Sequence, residues 1–194
     1  CRMQIPKEEV RQAILSAAEE EILQTGYRSC SIRSIAARAG ISPGNIYAYF
    51  SGKEEILDCI LRPALGGIHG VMESPFPEGS PGEMVRQVTG RLAEVFLRYK
   101  RPCLILAARV EGTPYEPVKE QLGREIAARA YKELLPHFPQ ASRTRLLAEM
   151  MGDAFLYGML RLLKQEPEDE GQMRRALESF LELMCGILRQ DAAG

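Results

Sequence analysis

The sequence is poor in the features that mark membrane-embedded or secreted proteins. Its longest stretch without a charged or strongly polar side chain lies between Asp153 and Arg161. This stretch is well short of the roughly 20 apolar residues that a membrane-spanning helix needs. Lys7 and Glu8 interrupt the N-terminal segment early, so no apolar signal core is expected there. We therefore expect a cytoplasmic protein without a membrane partner.

Histidine and tryptophan are scarce, with two histidines and no tryptophan among 194 residues. His69 lies in a glycine-rich segment and His137 is flanked by prolines, and neither has a partner at the spacing of a metal site or a catalytic triad. No G-x-S-x-G or H-E-x-x-H motif occurs, and the Gly52-Lys53 pair lacks the upstream glycine of a P-loop. An enzyme is the main competing class, and we expect no catalytic residue, metal or cofactor.

The five cysteines are odd in number and widely spaced, and no C-x-x-C pair occurs. That spacing predicts reduced thiols rather than a disulfide scaffold or a zinc site. Because Met3 offers a natural start, we do not expect a lipid anchor on the first residue. The cysteines are Cys1, Cys30, Cys59, Cys103 and Cys185.

Charge is nearly balanced, with a formal net charge of -1, which disfavours a partner bound through bulk positive charge. The balance is local as well as global. From Ile22 through Lys53 there is no Asp or Glu, while Arg28, Arg33 and Arg38 fall inside the same window. We therefore expect a locally cationic surface suited to nucleic-acid phosphates.

Helical periodicity dominates the sequence. Apolar residues recur every four positions at Val10, Ile14, Ala18 and Ile22, which predicts a first helix over 7–24. Alternating β-branched runs and Asn-Gly hairpin turns are absent. We predict an all-α protein of about nine helices.

A segment rich in glycine and proline between Pro63 and Gly82 predicts a domain boundary. We expect a small N-terminal domain over 1–52, a linking helix over 53–73 and a larger helical domain over 74–194. The later helices are predicted at Glu83–Tyr99, Cys103–Val110, Pro117–Leu135, Arg143–Lys164 and Gln172–Arg189. Within the fourth of these, the predicted inward side chains are Leu146, Met150, Ala154, Tyr157 and Leu160.

The stretch from Ser31 to Phe50 carries two short helical patterns separated by a tight turn. The first pattern begins at the cap candidate Ser31 and ends at Gly40, and Ser42-Pro43 is a typical start for the second. Ser51 and Glu54 then match a capping box that starts a fourth helix. This order is typical of a helix-turn-helix, whose second helix enters the DNA major groove.

The outward face of the second helix has side chains suited to reading bases. With Ile46 and Phe50 directed inward, Gly44, Asn45 and Ala48 point outward at about 100° per residue. The Asn45 amide can pair bidentately with adenine. The alternative is that the polar residues are only helix caps and solvated side chains. The predicted DNA-binding residues are Arg28, Ser31, Arg33, Ser42, Pro43, Gly44, Asn45, Tyr47, Tyr49 and Lys53.

Three consecutive motifs run through this region. They are Ser31-Ile32-Arg33-Ser34-Ile35-Ala36, then Ala39-Gly40-Ile41-Ser42-Pro43-Gly44-Asn45-Ile46-Tyr47-Ala48-Tyr49-Phe50, then Ser51-Gly52-Lys53-Glu54-Glu55-Ile56. Together they resemble the TetR/AcrR family of bacterial transcriptional regulators. The resemblance implies a homodimer on a double-stranded DNA operator, with a larger helical domain that holds an effector pocket and dimerises through its last two helices.

Two further residue sets follow from this resemblance, and ordinary core packing is the alternative for each. The predicted dimer interface comprises Ala148, Gly152, Phe155, Met159, Leu177, Phe180, Leu181, Met184 and Leu188. The predicted pocket for an unknown small-molecule effector comprises Phe96, Tyr99, Arg109, Glu111, Tyr115, Tyr131, Met151 and Phe155. The expected function is a repressor released by that effector, and the alternative is a DNA-binding regulator or architectural protein without one.

Overall fold

The structure is a computed structural model, and it describes residues 7–75, 77–137, 144–165, 171–172, 175–176 and 179–180. Within those ranges the chain forms eight α-helices and no strand, which confirms the all-α prediction. The helices are α1 (Lys7–Thr25), α2 (Ile32–Ala39), α3 (Pro43–Ile46), α4 (Lys53–Glu73), α5 (Pro81–Arg98), α6 (Lys100–Ala108), α7 (Val118–Arg129) and α8 (Arg145–Lys164).

The helices fall into two compact units. The head unit contains the chain up to Leu65 together with Arg101–Glu116, and the body unit contains Gly66–Lys100 and the chain from Pro117 onward. The predicted domain boundaries remain predictions. The grouping adds a feature that the sequence did not indicate, because α6 belongs with the N-terminal helices.

The core of the head unit is built from isoleucines at helical spacing. Ile14 and Ile22 of α1 meet Ile35 of α2, and each is almost completely buried. Burial of one such side chain contributes about 1.5–3 kcal/mol relative to its exposure. The apolar stripe predicted for the first helix is therefore the surface that holds the short α2 in place.

The body unit is organised around the crossing of α7 and α8, which have the most extensive contact of any two helices. A β-carbon added at Gly152 would lie 2.9 Å from the backbone oxygen of Gly123 and 3.1 Å from the backbone nitrogen of Ala127. Glycine is therefore required at this position for the two backbones to approach so closely.

The inward face of α8 differs from the prediction. Leu146, Met150 and Tyr157 are 66%, 62% and 50% exposed, and Ala154 is also exposed, whereas Leu160 is buried as predicted. The helix is apolar on more than one face, so periodicity alone chose the wrong stripe. The buried face comprises Ala148, Gly152, Phe155, Leu156, Met159, Leu160 and Leu163.

Two other helix boundaries differ from the predictions. The helix predicted to begin at Glu83 begins at Pro81, after the N-cap Ser80. The helix predicted to run to Leu135 leaves α geometry at Ala130, where a π-helical turn over Ala130–Leu134 is followed by a 3-10 turn. The predicted last helix, over 172–189, lies almost entirely outside the described residues.

Candidate nucleic-acid interface

The candidate interface is centred on α3, whose inward side chains anchor it. Ile46 is fully buried and Phe50 is 2% exposed, so both reach the core of the head unit. On the opposite side Gly44 and Asn45 are exposed, and Tyr47 is 60% exposed. The predicted division between buried and outward residues agrees with these positions.

The helical part of α3 is shorter than the pattern suggested. Only Pro43–Ile46 is α-helical, and the chain then continues as a tight turn. The amide of Ala48 donates to the carbonyl of Asn45 at 3.3 Å, and the amide of Tyr49 donates to the carbonyl of Ile46 at 2.9 Å. These i to i+3 bonds keep Tyr47 and Ala48 on the outward side with Asn45.

The turn between α2 and α3 depends on a left-handed residue. Gly40 has φ of 68°, and its amide donates to the carbonyls of Ala36 and Ala37. Glycine adopts this conformation without a steric cost, so it ends α2 as predicted. Ser42 then begins α3, and its hydroxyl accepts from the amide of Asn45 at 3.3 Å.

The start of α2 is fixed by two serines that cap each other. The Ser31 hydroxyl accepts from the Ser34 amide at 3.0 Å, and the Ser34 hydroxyl accepts from the Ser31 amide at 3.0 Å. Ser31 was predicted as an N-cap, but Ser34 was not predicted as its partner. Both side chains lie on the exposed side of α2, next to Arg33.

Another predicted capping box has a different partner from the one expected. Ser51 was paired with Glu54 in the prediction, but its amide and hydroxyl both donate to Glu55, at 2.6 and 2.8 Å. These bonds from Ser51 hold the pKa of Glu55 below its ordinary value. Glu54 instead bonds the hydroxyl of Tyr27.

The cations of the acid-free window do not all face solvent. Arg38 bonds Glu21 at 3.0 Å and pairs with Glu20 at 3.3 Å, so carboxylates from α1 offset its charge. Arg28 and Arg33 are exposed, and the described residues show no ion pair to either guanidinium. The window therefore offers fewer outward charges than its composition suggested.

Lys53 also turns toward the protein. Its ammonium nitrogen lies 3.3 Å from the carbonyl oxygens of both Tyr27 and Cys30. The same nitrogen is 4.3 Å from the centroid of the Tyr27 ring, within the range of a cation–π contact. The sequence missed this arrangement because the three residues are distant along the chain.

Burial dominates the titration of the groups beneath Lys53. It raises the pKa of the Tyr27 hydroxyl, and the hydrogen bond to Glu54 raises it further. Burial also raises the pKa of the Cys30 thiol to about 11 and that of Cys103 to about 12. Both are free thiols, as is Cys59, whereas Cys1 and Cys185 lie outside the described residues.

Three residues predicted to line the effector pocket belong to the head unit. Arg109 and Glu111 are exposed, and the carbonyl of Arg109 accepts from the amide of Tyr27 at 3.0 Å. The Tyr115 hydroxyl donates to Asp58 on α4. This bond holds the pKa of Asp58 below its ordinary value, while burial first and the same bond second raise the pKa of Tyr115 to about 12.

The other predicted pocket residues lie in the body unit. Phe96 and Phe155 are buried, Tyr99 and Met151 are half-buried, and Tyr131 is 42% exposed. Phe155 borders a partly open cavity of about 360 Å³. The residues around this cavity are Phe155, Gly158, Met159, Arg161, Leu162, Gln165, Ala176 and Phe180.

The residues predicted to form a dimer interface are in two different situations. On α8, Ala148, Gly152, Phe155 and Met159 are buried within the protomer. Phe180 is 37% exposed. The remaining predicted residues lie outside the described part of the chain, and they are Leu177, Leu181, Met184 and Leu188.

Arg129 is a polar residue that the sequence reading missed. Its side chain is 9% exposed, and its guanidinium donates to the carbonyls of Val71, Met72 and Ser74 at 2.6 to 2.8 Å. It also pairs with Glu133 at 2.7 Å. Arg129 thus satisfies carbonyls at the C-terminal end of α4, which a helix leaves without internal donors.

Searches of the described residues for two other kinds of site gave negative results. Over the described ranges, no three or more histidine, cysteine, aspartate or glutamate residues are grouped as a metal site would require. None of the helices in the same ranges combines the length and apolar character that crossing a membrane requires.

Comparison with known proteins places the similarity first in the head unit. The family described as "Bacterial regulatory proteins, tetR family" matches residues 14–60. The chain is 37% identical over 65 residues to the fatty acid metabolism regulator protein of Bacillus subtilis, covering 34% of each chain. It covers 41% of the regulator UidR of Escherichia coli, so it spans well under half of the length of these relatives.

Other matches extend over most of the chain at lower identity. The regulator BetI of Ectopseudomonas mendocina is 26% identical over 199 residues, which covers 92% of this chain and 95% of that protein. The crystal structure of the TetR-family regulator PfmR of Thermus thermophilus matches with a TM-score of 0.67 at 20% identity, covering 89% of this chain and 94% of the other. Each of these relatives is a regulator, which confirms the expectation that the chain is not an enzyme.

Proposed function

Because this chain belongs to the TetR family of bacterial transcriptional regulators, we propose that it represses transcription by binding a pseudo-palindromic DNA operator as a homodimer. The observation that carries the proposal is the outward face of α3. Asn45 and Tyr47 are exposed on it, while Ile46 holds the turn from behind. Because bacterial DNA lies in the cytoplasm, the proposal also gives the protein a cytoplasmic location.

Base reading is assigned to Asn45, with Gly44 and Ala48 allowing the backbone to approach the groove. Small residues on either side of an amide let it reach a base edge, and an amide pairs bidentately with adenine. Phosphate contacts are assigned to the exposed residues around this face. They are Arg28, Ser31, Arg33, Ser42, Pro43, Tyr47 and Tyr49.

The test is operator binding by the full chain and by Asn45→Ala. Candidate operators come from intergenic DNA beside the gene for this protein, and selection from random duplexes provides an independent source. Loss of one bidentate base contact should cost about 1–3 kcal/mol and relax base preference at one position of each half-site. Equal affinity of both proteins for every operator variant would contradict the assignment. Gln24→Ala, an exposed amide on α1, is the matched control.

For the homodimer, we propose that the exposed apolar side chains of α8 contribute to the interface, together with the predicted last helix. Leu146, Met150 and Tyr157 occupy one side of α8 at helical spacing and remain largely exposed in the protomer. A two-fold interface between long helices would bury them and would set two α3 helices about 34–36 Å apart, or a modest multiple of that distance. Met150→Glu should shift the dimer toward monomer in sedimentation, whereas Glu149→Gln should not.

We further propose that a small molecule bound in the body unit releases the operator. A volume of about 360 Å³ lies within the usual range of ligand pockets. The apolar walls of the cavity, with Arg161 and Gln165 at its border, fit an apolar ligand that carries one polar group. A coupling of about 1–3 kcal/mol between ligand and DNA would change operator occupancy several-fold. A regulator without an effector is the second candidate, and enlargement of Gly158 to Leu distinguishes the two, since only an effector-responsive protein would lose ligand-induced release.

A further inference from the structure

We propose that Lys53 positions the start of α2 from within the protein and does not bind phosphate. The proposal rests on the DNA-binding function proposed above and concerns how that surface is held. It changes the role expected from the sequence, in which Lys53 was one of the DNA contacts. The observations that carry it are the three contacts of the ammonium group and their place in the head unit.

The bonding capacity of the Lys53 ammonium is largely used inside the protein. An ammonium has three N–H donors and no acceptor. Two of these reach the carbonyl oxygens of Tyr27 and Cys30 at 3.3 Å, and the Tyr27 ring lies beneath the charge with its centroid 4.3 Å away. A lysine serving a phosphate would instead extend its ammonium into solvent. Lys53 is half-buried, so its side chain lies along the protein surface.

The carbonyls that Lys53 binds belong to the turn that delivers the chain to α2. Tyr27 is 6% exposed and Cys30 is 3% exposed, so this turn is part of the core. Ser31, the N-cap of α2, follows Cys30 directly. Lys53 itself is the first residue of α4, three positions after Phe50. One side chain therefore joins the residue before the helix-turn-helix to the residue that follows it.

Arg33 provides a direct contrast in the same window. It lies on the exposed side of α2, and no hydrogen bond or ion pair within the described ranges holds its guanidinium. A phosphate contact should lower the salt dependence of DNA binding, because each neutralised phosphate releases a counterion. A positioning contact should lower affinity without changing that dependence. The two residues thus predict different results in one titration.

The first experiment measures operator affinity against salt for the full chain and for two variants. Lys53→Met keeps the length of the side chain but removes the charge, and it should weaken binding by about tenfold, as the loss of one charge-assisted contact would. Its slope of log affinity against log salt should match that of the unaltered protein. Arg33→Met should reduce the slope by about 0.9 for each subunit. A reduction of that size for Lys53→Met would overturn the proposal.

The second experiment needs no DNA and separates this proposal from the proposed function. Amide hydrogen exchange in the free protein should accelerate over residues 26–34 in Lys53→Met and should be unchanged in Arg33→Met. Lys53→Arg, which keeps the cation over the Tyr27 ring, should restore most of the protection and remains informative if the Met variant does not fold. Unchanged exchange in Lys53→Met would overturn the proposal. If the unaltered protein binds no DNA, the proposed function fails while the exchange result still decides the role of Lys53.

Discussion

The head and body units are both helical, but different interactions fix their helices. In the head unit, short helices begin at polar caps such as Ser31 and Ser42, and a left-handed glycine ends α2. In the body unit, longer helices pack through a glycine at the crossing of α7 and α8. A cap is a local arrangement of neighbouring residues, whereas a crossing depends on which distant helix lies opposite. The comparison teaches that the head is specified mainly by local sequence and the body by long-range contact.

Arg129 is the exception in the body unit, because there a polar side chain caps a helix from a distance. Arg129→Met removes donors from three carbonyls of the α4 segment and leaves Glu133 without its partner. Breaking such a nearly buried set should lower the free energy of unfolding by about 3 kcal/mol. Urea denaturation measures the change. Arg124→Met, an exposed arginine on the same helix, should change stability by less than about 0.5 kcal/mol, and equal effects would refute the role of Arg129.

The close crossing predicts the next largest effect. Gly152→Ala places a β-carbon 2.9 Å from the oxygen of Gly123, and a backbone atom cannot move aside cheaply. We expect a loss of about 2 kcal/mol in the free energy of unfolding, since overpacking outweighs the gain in helix propensity. Gly70→Ala on α4 has open space around its added carbon and should instead be stabilising, by up to about 1 kcal/mol. Calorimetry that ranks the two variants in the opposite order would remove the crossing as the basis of the comparison.

A cap in the head unit should contribute less than either feature of the body unit. Ser31→Ala removes the acceptor for the Ser34 amide and should cost about 1 kcal/mol of stability. Ser29→Ala, an exposed serine in the preceding turn, serves as the control and should be close to neutral. Chemical denaturation of both variants measures the difference. A larger loss for Ser29 than for Ser31 would show that the local cap does not specify α2.

The bond between Tyr115 and Asp58 predicts the smallest effect and a pH dependence. Because the folded pKa of Asp58 is held below its ordinary value of 3.8, its contribution is present above that pH and is lost as the pH falls through the folded value. Tyr115→Phe should therefore reduce stability at neutral pH, by less than about 1 kcal/mol for this partly exposed pair. The difference from the unaltered protein should shrink in acid below 3.8. It should also shrink as the pH rises from 10 towards about 12, the raised pKa of Tyr115. Denaturation across that range tests both limits, and a difference that grows in acid would contradict the assignment.

The local signals of the head unit were readable because they involve adjacent residues. Gly40 and Ser42-Pro43 predicted the turn and the start of α3, and both stand where expected. Ser80-Pro81 has the same pattern as Ser42-Pro43, so the true start of α5 could have been read from it. The choice of Glu55 over Glu54 as the partner of Ser51 was not readable, because both residues follow the serine within one helical turn.

Features set by distant partners could not be read from the sequence. Gly152 looked suitable for contact between protomers, but its neighbours are Gly123 and Ala127 of the same chain. Periodicity could not choose between the faces of α8, because apolar residues occupy more than one of them. Lys53 has the composition of a phosphate contact, and only the folded chain brings it to the carbonyls of Tyr27 and Cys30.

The brevity of α3 limits how much sequence information one protomer can extract from DNA. Its four helical residues rise by about 6 Å. Since successive base pairs are about 3.4 Å apart, this length spans roughly two of them. Two fully specified base pairs recur by chance about once in 16 positions, and a pair of such half-sites at fixed spacing about once in 256. A genome-sized search therefore needs further discrimination, and the turn that carries Tyr47 and the exposed face of α2 are the adjacent surfaces able to add it through the shape of the groove.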